Sequence, residues 1–373
     1  MVQINSVNPG LSPGGAGEGE IAGWLARTCK ELGLDVRLQE TALGRPNVLA
    51  RWPGMGGGKS LLLTGHMDVV GVENMPGSPF DARVEDGRLY GRGALDMKGG
   101  LAAILGAVAA LRSSAFQPAG DLWLGFVTDE EYLSAGTELL VQEIRPDAAI
   151  LTEPTGLDIC IAHKGFAWLT LTTLGRSAHG SLYDEGIDAV VHMGRLLNRL
   201  ECLERDYAMR REHPLLGRPS VHASVISGGV GWSTYPDRCA LRIEHRLLPD
   251  ESAESVLAWW QAALVELSAA DPQFQAEVQL DFVRPGYEIA RDAPIARALE
   301  AAYNRVIGET PVYTGMFAWL DSAILGRAGI PTVIFGPGGE GAHAAVEYVN
   351  LDEVFRCAAV LAEAAVDWTG APA

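Results

Sequence analysis

The stretch LLLTGHMDVVGVE, residues 61–73, drives an apolar run straight into a histidine and an aspartate separated by one residue. A strand that ought to stay buried has no local reason to end in His66 and Asp68, because an ionisable group away from water is costly unless something compensates it. The pattern recurs along the chain. DLWLGFVTDEE runs into Glu130 and Glu131, AAILTEP into Glu153, and TVIFGPGGEGAHAAVE passes through a glycine-rich turn to His343. Between these runs lie segments with helical spacing: GEIAGWLARTCKELGL, GGLAAILGAVAALRS and AGTELLVQEI. Such alternation of strand and helix predicts an α/β fold with a mainly parallel sheet.

In open α/β sheets, ligands gather beyond the carboxyl ends of the strands. His66, Glu130, Glu131, Glu153 and His343 all follow strands, and Asp96 sits in GRGALDMKGG, the loop that opens a helix. Collected in space they form a cage of two imidazoles and several carboxylates. That donor set suits zinc, or cobalt or manganese, whereas magnesium takes fewer nitrogen ligands. The acids are too many for one tetrahedral ion. Two divalent ions sharing one carboxylate account for the excess, since each ion offsets repulsion that would otherwise raise the acids' pKa values. His66 then ends its strand as a ligand, and Asp68, on the same side of an extended chain, is expected to hydrogen-bond the other ring nitrogen. Each element alone has a plainer reading: DEE as a solvated acidic turn, Asp96 as a helix cap, EPTG as an ordinary turn. Their joint occurrence in sheet-forming order is what points to metal.

The composition narrows the class. With 373 residues, nearly half of them apolar, the chain can build two domains with their own cores. A net charge of −18 disfavours nucleic acid, whose phosphates are bound by clustered Lys and Arg. The five cysteines are scattered without CxxC spacing, which fits reduced thiols and a cytoplasmic protein. The N-terminal residues do not read as a signal peptide, and no apolar run reads as a membrane span. No GxSxG elbow supports serine catalysis, and GPGGEGA lacks the GK[ST] ending of a phosphate loop, so its glycines are read as permitting close backbone approach. Asp321, in WLDSAILGRAG, is read as the N-cap of the following helix rather than as a contact to a substrate amine.

The motifs GHMDVV, GRGALDMKGG, TDEEYLSAG, TEPTG, GRSAHGS, GGVGWSTYPDRC and FGPGGEGAHAAVEYV, in this order, resemble the co-catalytic zinc aminoacylase and carboxypeptidase family. That family includes acetylornithine deacetylase, succinyl-diaminopimelate desuccinylase and glutamate carboxypeptidase. The resemblance implies a zinc-peptidase-like catalytic domain with a mixed sheet. It makes Asp96 the bridging carboxylate, places His66 and Glu153 on one metal and Glu131 and His343 on the other, and leaves Glu130 as general base. It also implies a cis peptide after Asp96. The reaction expected is cleavage of an amide in a small carboxylate-bearing substrate, either an N-acyl amino acid or, alternatively, a short peptide cut by a di-/tripeptidase or glutamate-type carboxypeptidase. A non-catalytic metal-binding homologue is the contrasting reading, and such a protein would have no need of Glu130.

Residues 171–282 look different, with strands WLTLTTLG, HASVISGG and CALRIEHRLL and helices GIDAVVHMGRLLNRLECL and ESVLAWWQAALVELSAA. They read as a domain inserted into a catalytic domain made of 1–170 and 283–373. The resemblance implies a small α/β lid with a four-stranded antiparallel sheet through which the protein dimerises. His179 of GRSAHGS would then reach the partner's site and polarise the scissile carbonyl, and Arg246 would bind a substrate carboxylate. Two departures bear on this: Ser233 stands where the family usually has Asn, and Glu244 where it has Asp. The chain also begins close to INSVNPG, where relatives carry one more helix first.

Overall fold

Every residue of the strand Leu61–His66 is buried, as expected of a central parallel strand covered on both faces. It pairs in parallel with Leu122–Val127 on one side and Ala148–Leu151 on the other, and Thr332–Ile334 extends the parallel set beyond Ala148–Leu151. Arg45–Trp52 joins Leu122–Val127 antiparallel, and Asp35–Ala42 joins Arg45–Trp52 antiparallel, so the sheet is mixed with a parallel centre. The edge strand Asp35–Ala42 escapes the hydrophobic pattern because it is mostly exposed, with only Gln39 buried.

The computed structural model describes residues 1–42, 44–209 and 212–371. The chain divides into two compact units, one of Met1–Ile161, Ile289–Thr314 and Leu320–Ala373, the other of Ala162–Glu288 with Gly315–Trp319. In the first unit, the helices Gly99–Arg112, Pro294–Ile307 and Leu351–Thr369 pack on one another. Gly99–Arg112 begins so close to the sheet that a Cβ on Gly100 would lie 2.2 Å from the Thr152 carbonyl oxygen. By length and composition the stretch Ala94–Arg112 is apolar enough to cross a membrane, which corrects the expectation that no such run exists, although Asp96 and Met97 depart from helical geometry within it. Most of it is buried within the unit, as in a core helix.

A second, small sheet in the same unit pairs Tyr348–Asn350 with Arg88–Tyr90 and with Gly339–Glu340, and Arg83–Glu85 with Arg88–Tyr90. It ties the segment entering the Asp96 loop to the segment leaving the His343 turn. No hydrophobic alternation announces these strands of two or three residues.

The other unit holds a four-stranded antiparallel sheet in the order Ser220–Gly228, Arg238–Leu247, Gly165–Leu174, Gln275–Arg284. The sheet therefore takes in residues on both sides of 171–282. Helices Ala189–Ala208 and Ala253–Ala270 cover one face. At the centre of that core, Trp260 donates its indole N–H to His245 Nε2 at 3.0 Å, and burial pushes His245 down to about 4, so it stays neutral there.

Candidate functional site

The four parallel strands Leu122–Val127, Leu61–His66, Ala148–Leu151 and Thr332–Ile334 bring Glu130 and Glu131, His66, Glu153 and His343 to one edge of the sheet. Asp96 sits between the two histidines: its Oδ1 lies 3.1 Å from His66 Nε2 and its Oδ2 3.3 Å from His343 Nε2. Glu153 Oε1 is 3.7 Å from His66 Nε2, and Glu131 Oε2 is 3.1 Å from His343 Nε2. Glu130 Oε2 lies 3.9 Å from His66 Nε2. All six expected residues of the cage thus meet within the first unit.

Local backbone geometry aims them. Asp129 adopts φ +69 just before Glu130, and His343 itself adopts φ +60, a left-handed conformation that non-glycine residues rarely hold. Gly341, at φ +87, could not be replaced, because a Cβ there would lie 1.8 Å from the Val346 carbonyl oxygen. The peptide after Asp96 is cis, as expected. Glu347 organises the Asp96 loop, accepting the backbone N–H groups of Gly93, Leu95 and Asp96. Arg92 pairs with Glu347 at 2.8 Å in full burial and also donates to the Ala344 carbonyl at 3.2 Å. Removing one member of such a buried pair strands the other charge, at a cost of about 3–5 kcal/mol. Asn74 completes the support by donating to the His343 carbonyl.

One expected contact is different. His66 Nδ1 bonds the main-chain oxygen of Asp68 at 3.0 Å, while the Asp68 carboxylate stands 3.7 Å away. That carboxylate instead accepts the backbone N–H groups of Glu130, at 3.1 Å, and Glu131, at 3.2 Å, and the side-chain N–H of Asn8, at 2.7 Å. Two amides and a side-chain donor thus engage both its oxygens, and the ring bonds the main-chain oxygen instead. Asp321 does occupy the N-cap position of Ser322–Arg327, as expected, but its side chain makes no capping hydrogen bond there and accepts from Thr137 Oγ1 at 2.5 Å. It lies near enough to the cluster for its charge to raise Glu130 and Glu153.

The cluster is electrostatically crowded. Burial, followed by the repulsion of Glu153, Asp321 and Glu131, pushes Glu130 well above the usual carboxylate range. Burial and the charges of Asp96 and Glu131 do the same to Glu153. Burial opposes ionisation of Asp96 too, but hydrogen bonds to His343 and His66 outweigh it and hold that carboxyl well below its ordinary value. Hydrogen bonds to Asp96 and Glu131 raise His343 to about 10. Glu153 Oε1 is buried and, among the described residues, has no hydrogen-bond partner. Oxygen and imidazole donors of His66, Glu130 and Glu153, and of His66, Asp96 and Glu131, lie within 4.8 Å of one another. An orphaned buried oxygen among donors of this type fits a divalent ion, which would neutralise the crowding acids. His66, Asp96, Glu130, Glu131 and Glu153 supply the donors of these two groups, and His343 Nε2 adds an imidazole 3.3 Å from Asp96 and 3.1 Å from Glu131.

The remaining expected residues belong to the second unit. His179 is exposed, with Nδ1 2.8 Å from Ser181 Oγ, and its backbone bridges Thr234, next to Ser233. Arg246 donates Nε to Glu244 at 2.7 Å, and its guanidinium lies 5.5 Å from the centre of the Phe166 ring.

Comparison with known proteins agrees with this architecture. Residues 62–367 match the model of peptidase family M20/M25/M40. The chain is 30% identical to an acetylornithine deacetylase of Myxococcus xanthus, over 89% of this chain and 87% of that protein. It is 29% identical to the N-formyl-4-amino-5-aminomethyl-2-methylpyrimidine deformylase of Bacillus subtilis, over 93% of this chain and 89% of that one. The fold superposes with a TM-score of 0.76 on the YXEP protein of Bacillus subtilis, described as a dinuclear metal binding peptidase, at 17% identity and over 98% of this chain and 95% of that chain. With the family model covering most of its length, the chain belongs to peptidase family M20/M25/M40 and is a metal-dependent hydrolase of amide C–N bonds.

Proposed function

We propose that the protein removes the acyl group from a small N-acyl amino acid, using two divalent ions, zinc foremost, held by His66, Asp96, Glu131, Glu153 and His343. The observation that carries the reading is the position of Asp96, with one carboxylate oxygen toward His66 and the other toward His343. When bound, the ions would lower the pKa of water and polarise the scissile carbonyl. Glu130 has no place in that ligand set. Its carboxylate, largely buried at the sheet edge with Oε2 3.9 Å from His66 Nε2, would take a proton from water and later deliver it to the departing amine. Short peptides are the second reading, supported by the peptidase described in Bacillus subtilis.

Arg246 would receive the substrate carboxylate. Its present partner, Glu244, also accepts the Trp168 indole N–H at 2.9 Å, so Glu244 keeps a donor when Arg246 turns to a substrate carboxylate. The second unit would also mediate a homodimer. Ser220–Gly228 is an edge strand exposed from Ala223 to Gly228, with Val225 and Ile226 both open to solvent, which is the kind of edge that pairs with another chain. His179 would then serve the partner's active site.

A panel of N-acyl amino acids and dipeptides, assayed with zinc, cobalt and manganese, tests the substrate class. Turnover of N-acyl amino acids well above that of dipeptides is expected; the reverse preference would establish the peptidase reading instead. Glu130→Ala should lower kcat by at least the 10²–10⁴-fold (order of magnitude) that acid–base chemistry supplies while keeping its metal, whereas Glu131→Ala should lose metal. Equal metal contents in the two variants would refute this division of roles. For His179, a mixed dimer of one His179→Ala chain with one Glu130→Ala chain leaves one site with both faults and the other with neither. About half of wild-type activity should return if oxyanion stabilisation crosses the interface, and no recovery in verified mixed dimers would exclude action in trans.

A further inference from the structure

The geometry points to Asp68 as a positioning residue for the Glu130–Glu131 pair, with Asn8 of the N-terminal segment as its anchor. The Asp68 carboxylate is fully buried and grips the two residues by their backbones: the Glu130 N–H donates to Oδ1 at 3.1 Å and the Glu131 N–H to Oδ2 at 3.2 Å. The chain needs such a hold here, because Asp129 turns it through a left-handed conformation immediately before Glu130. The His66 ring does not need it. Its Nδ1 is satisfied by a main-chain oxygen that no side-chain substitution at Asp68 removes.

Asn8 is the chemical counterpart of this arrangement. Its Nδ2 donates to Asp68 Oδ2 at 2.7 Å and to Asp129 Oδ1 at 3.1 Å, and all three side chains are buried. An amide nitrogen carries two N–H donors, one for each carboxylate, where an acid would repel both. Its orientation is fixed from the other end, since Asn8 Oδ1 accepts the Gly10 N–H at 2.8 Å. The segment itself is laced beside the strand end: the Asn8 N–H donates to the Val69 carbonyl, the Val69 N–H to the Ser6 carbonyl, and Ser6 Oγ to the Met67 carbonyl. On the far side, Arg45 Nη2 donates to Asp129 at 2.9 Å, and Glu18 accepts both Arg45 and the Asp129 N–H. Residues distant in sequence thus converge on the three-residue turn 129–131. The catalytic consequence rests on the reading of Glu130 as the base, whereas the structural one does not.

Hydrogen exchange on metal-free protein tests the hold directly. Asp68→Asn keeps one acceptor oxygen in place of two, so exchange at the Glu130 and Glu131 amides should accelerate by about tenfold or more, the factor that one hydrogen bond to a charged group supplies. The amides of Leu61–His66 should stay protected. Asn8→Asp, which replaces the donor with a third carboxylate, should do the same without touching a candidate ligand, and Asn8→Ser, which keeps one donor, should recover part of the protection. Unchanged exchange at residues 130 and 131 in the folded variants would overturn the proposal. With the metal-loaded enzyme, Asp68→Asn should lower kcat by about 10–100-fold with KM and metal content little changed, and should cost nothing further in a Glu130→Gln background. Additive losses would place the kinetic effect of Asp68 on His66 or the metals rather than on the base. Altered exchange with additive kinetics would leave the hold standing and remove its link to the base.

Discussion

The Asp96 carboxylate, set between the imidazoles of His66 and His343, is the constraint on which the site depends. It is held well below its ordinary pKa despite burial, because both its oxygens face imidazole nitrogens. The rest of the first unit can be understood as the means of keeping it there. Parallel strands deliver His66, Glu130, Glu131 and Glu153 to one edge, and the small sheet joining Arg88–Tyr90 to Tyr348–Asn350 brings the Asp96 loop to the His343 turn. Glu347 then fixes the loop through its amides, and Arg92 balances the charge of Glu347 in full burial.

Two carboxylates in this unit work through backbone amides rather than through the reacting centre. Glu347 takes the amides around Asp96, and Asp68 takes those of Glu130 and Glu131. Accepting several N–H groups favours a buried carboxylate in its charged form, yet burial with the charges of Glu18 and Glu131 still pushes Asp68 up to about 7. That tension reflects the density of acids around the site. Divalent cations are the natural counterweight to that density of acids.

The sequence made the strand ends legible because a buried parallel strand carries an unbroken apolar run, and an acid or imidazole at its end stands out. Leu61–His66, Leu122–Val127 and Ala148–Leu151 all declare themselves in this way, and the six residues of the cage follow from them and from the loop at Asp96. The α/β class was legible for the same reason, whereas the antiparallel sheet of the inserted segment came from the resemblance, since its edge strands Ser220–Gly228 and Gln275–Arg284 are largely exposed or half-buried. What was not legible depends on contacts without local pattern. Asn8 meets Asp68 from 60 residues away, and Glu347 meets Leu95 from 252. Asp321 precedes a helix and so fits a capping pattern, but Thr137, 184 residues distant, takes its side chain instead. The Asp68 side chain was read from its spacing to His66, whereas the amides that claim it arrive from another strand.

The central claim, that Asp96 bridges two metal positions, is tested most directly by anomalous diffraction from crystals of metal-loaded protein, recorded at the absorption edge of the metal. The account predicts two peaks flanking Asp96, one beside His66 and Glu153 and the other beside Glu131 and His343, with Glu130 bound to neither. A single fully occupied peak, or a peak for which Glu130 is a ligand in place of Glu131 or Glu153, would contradict it.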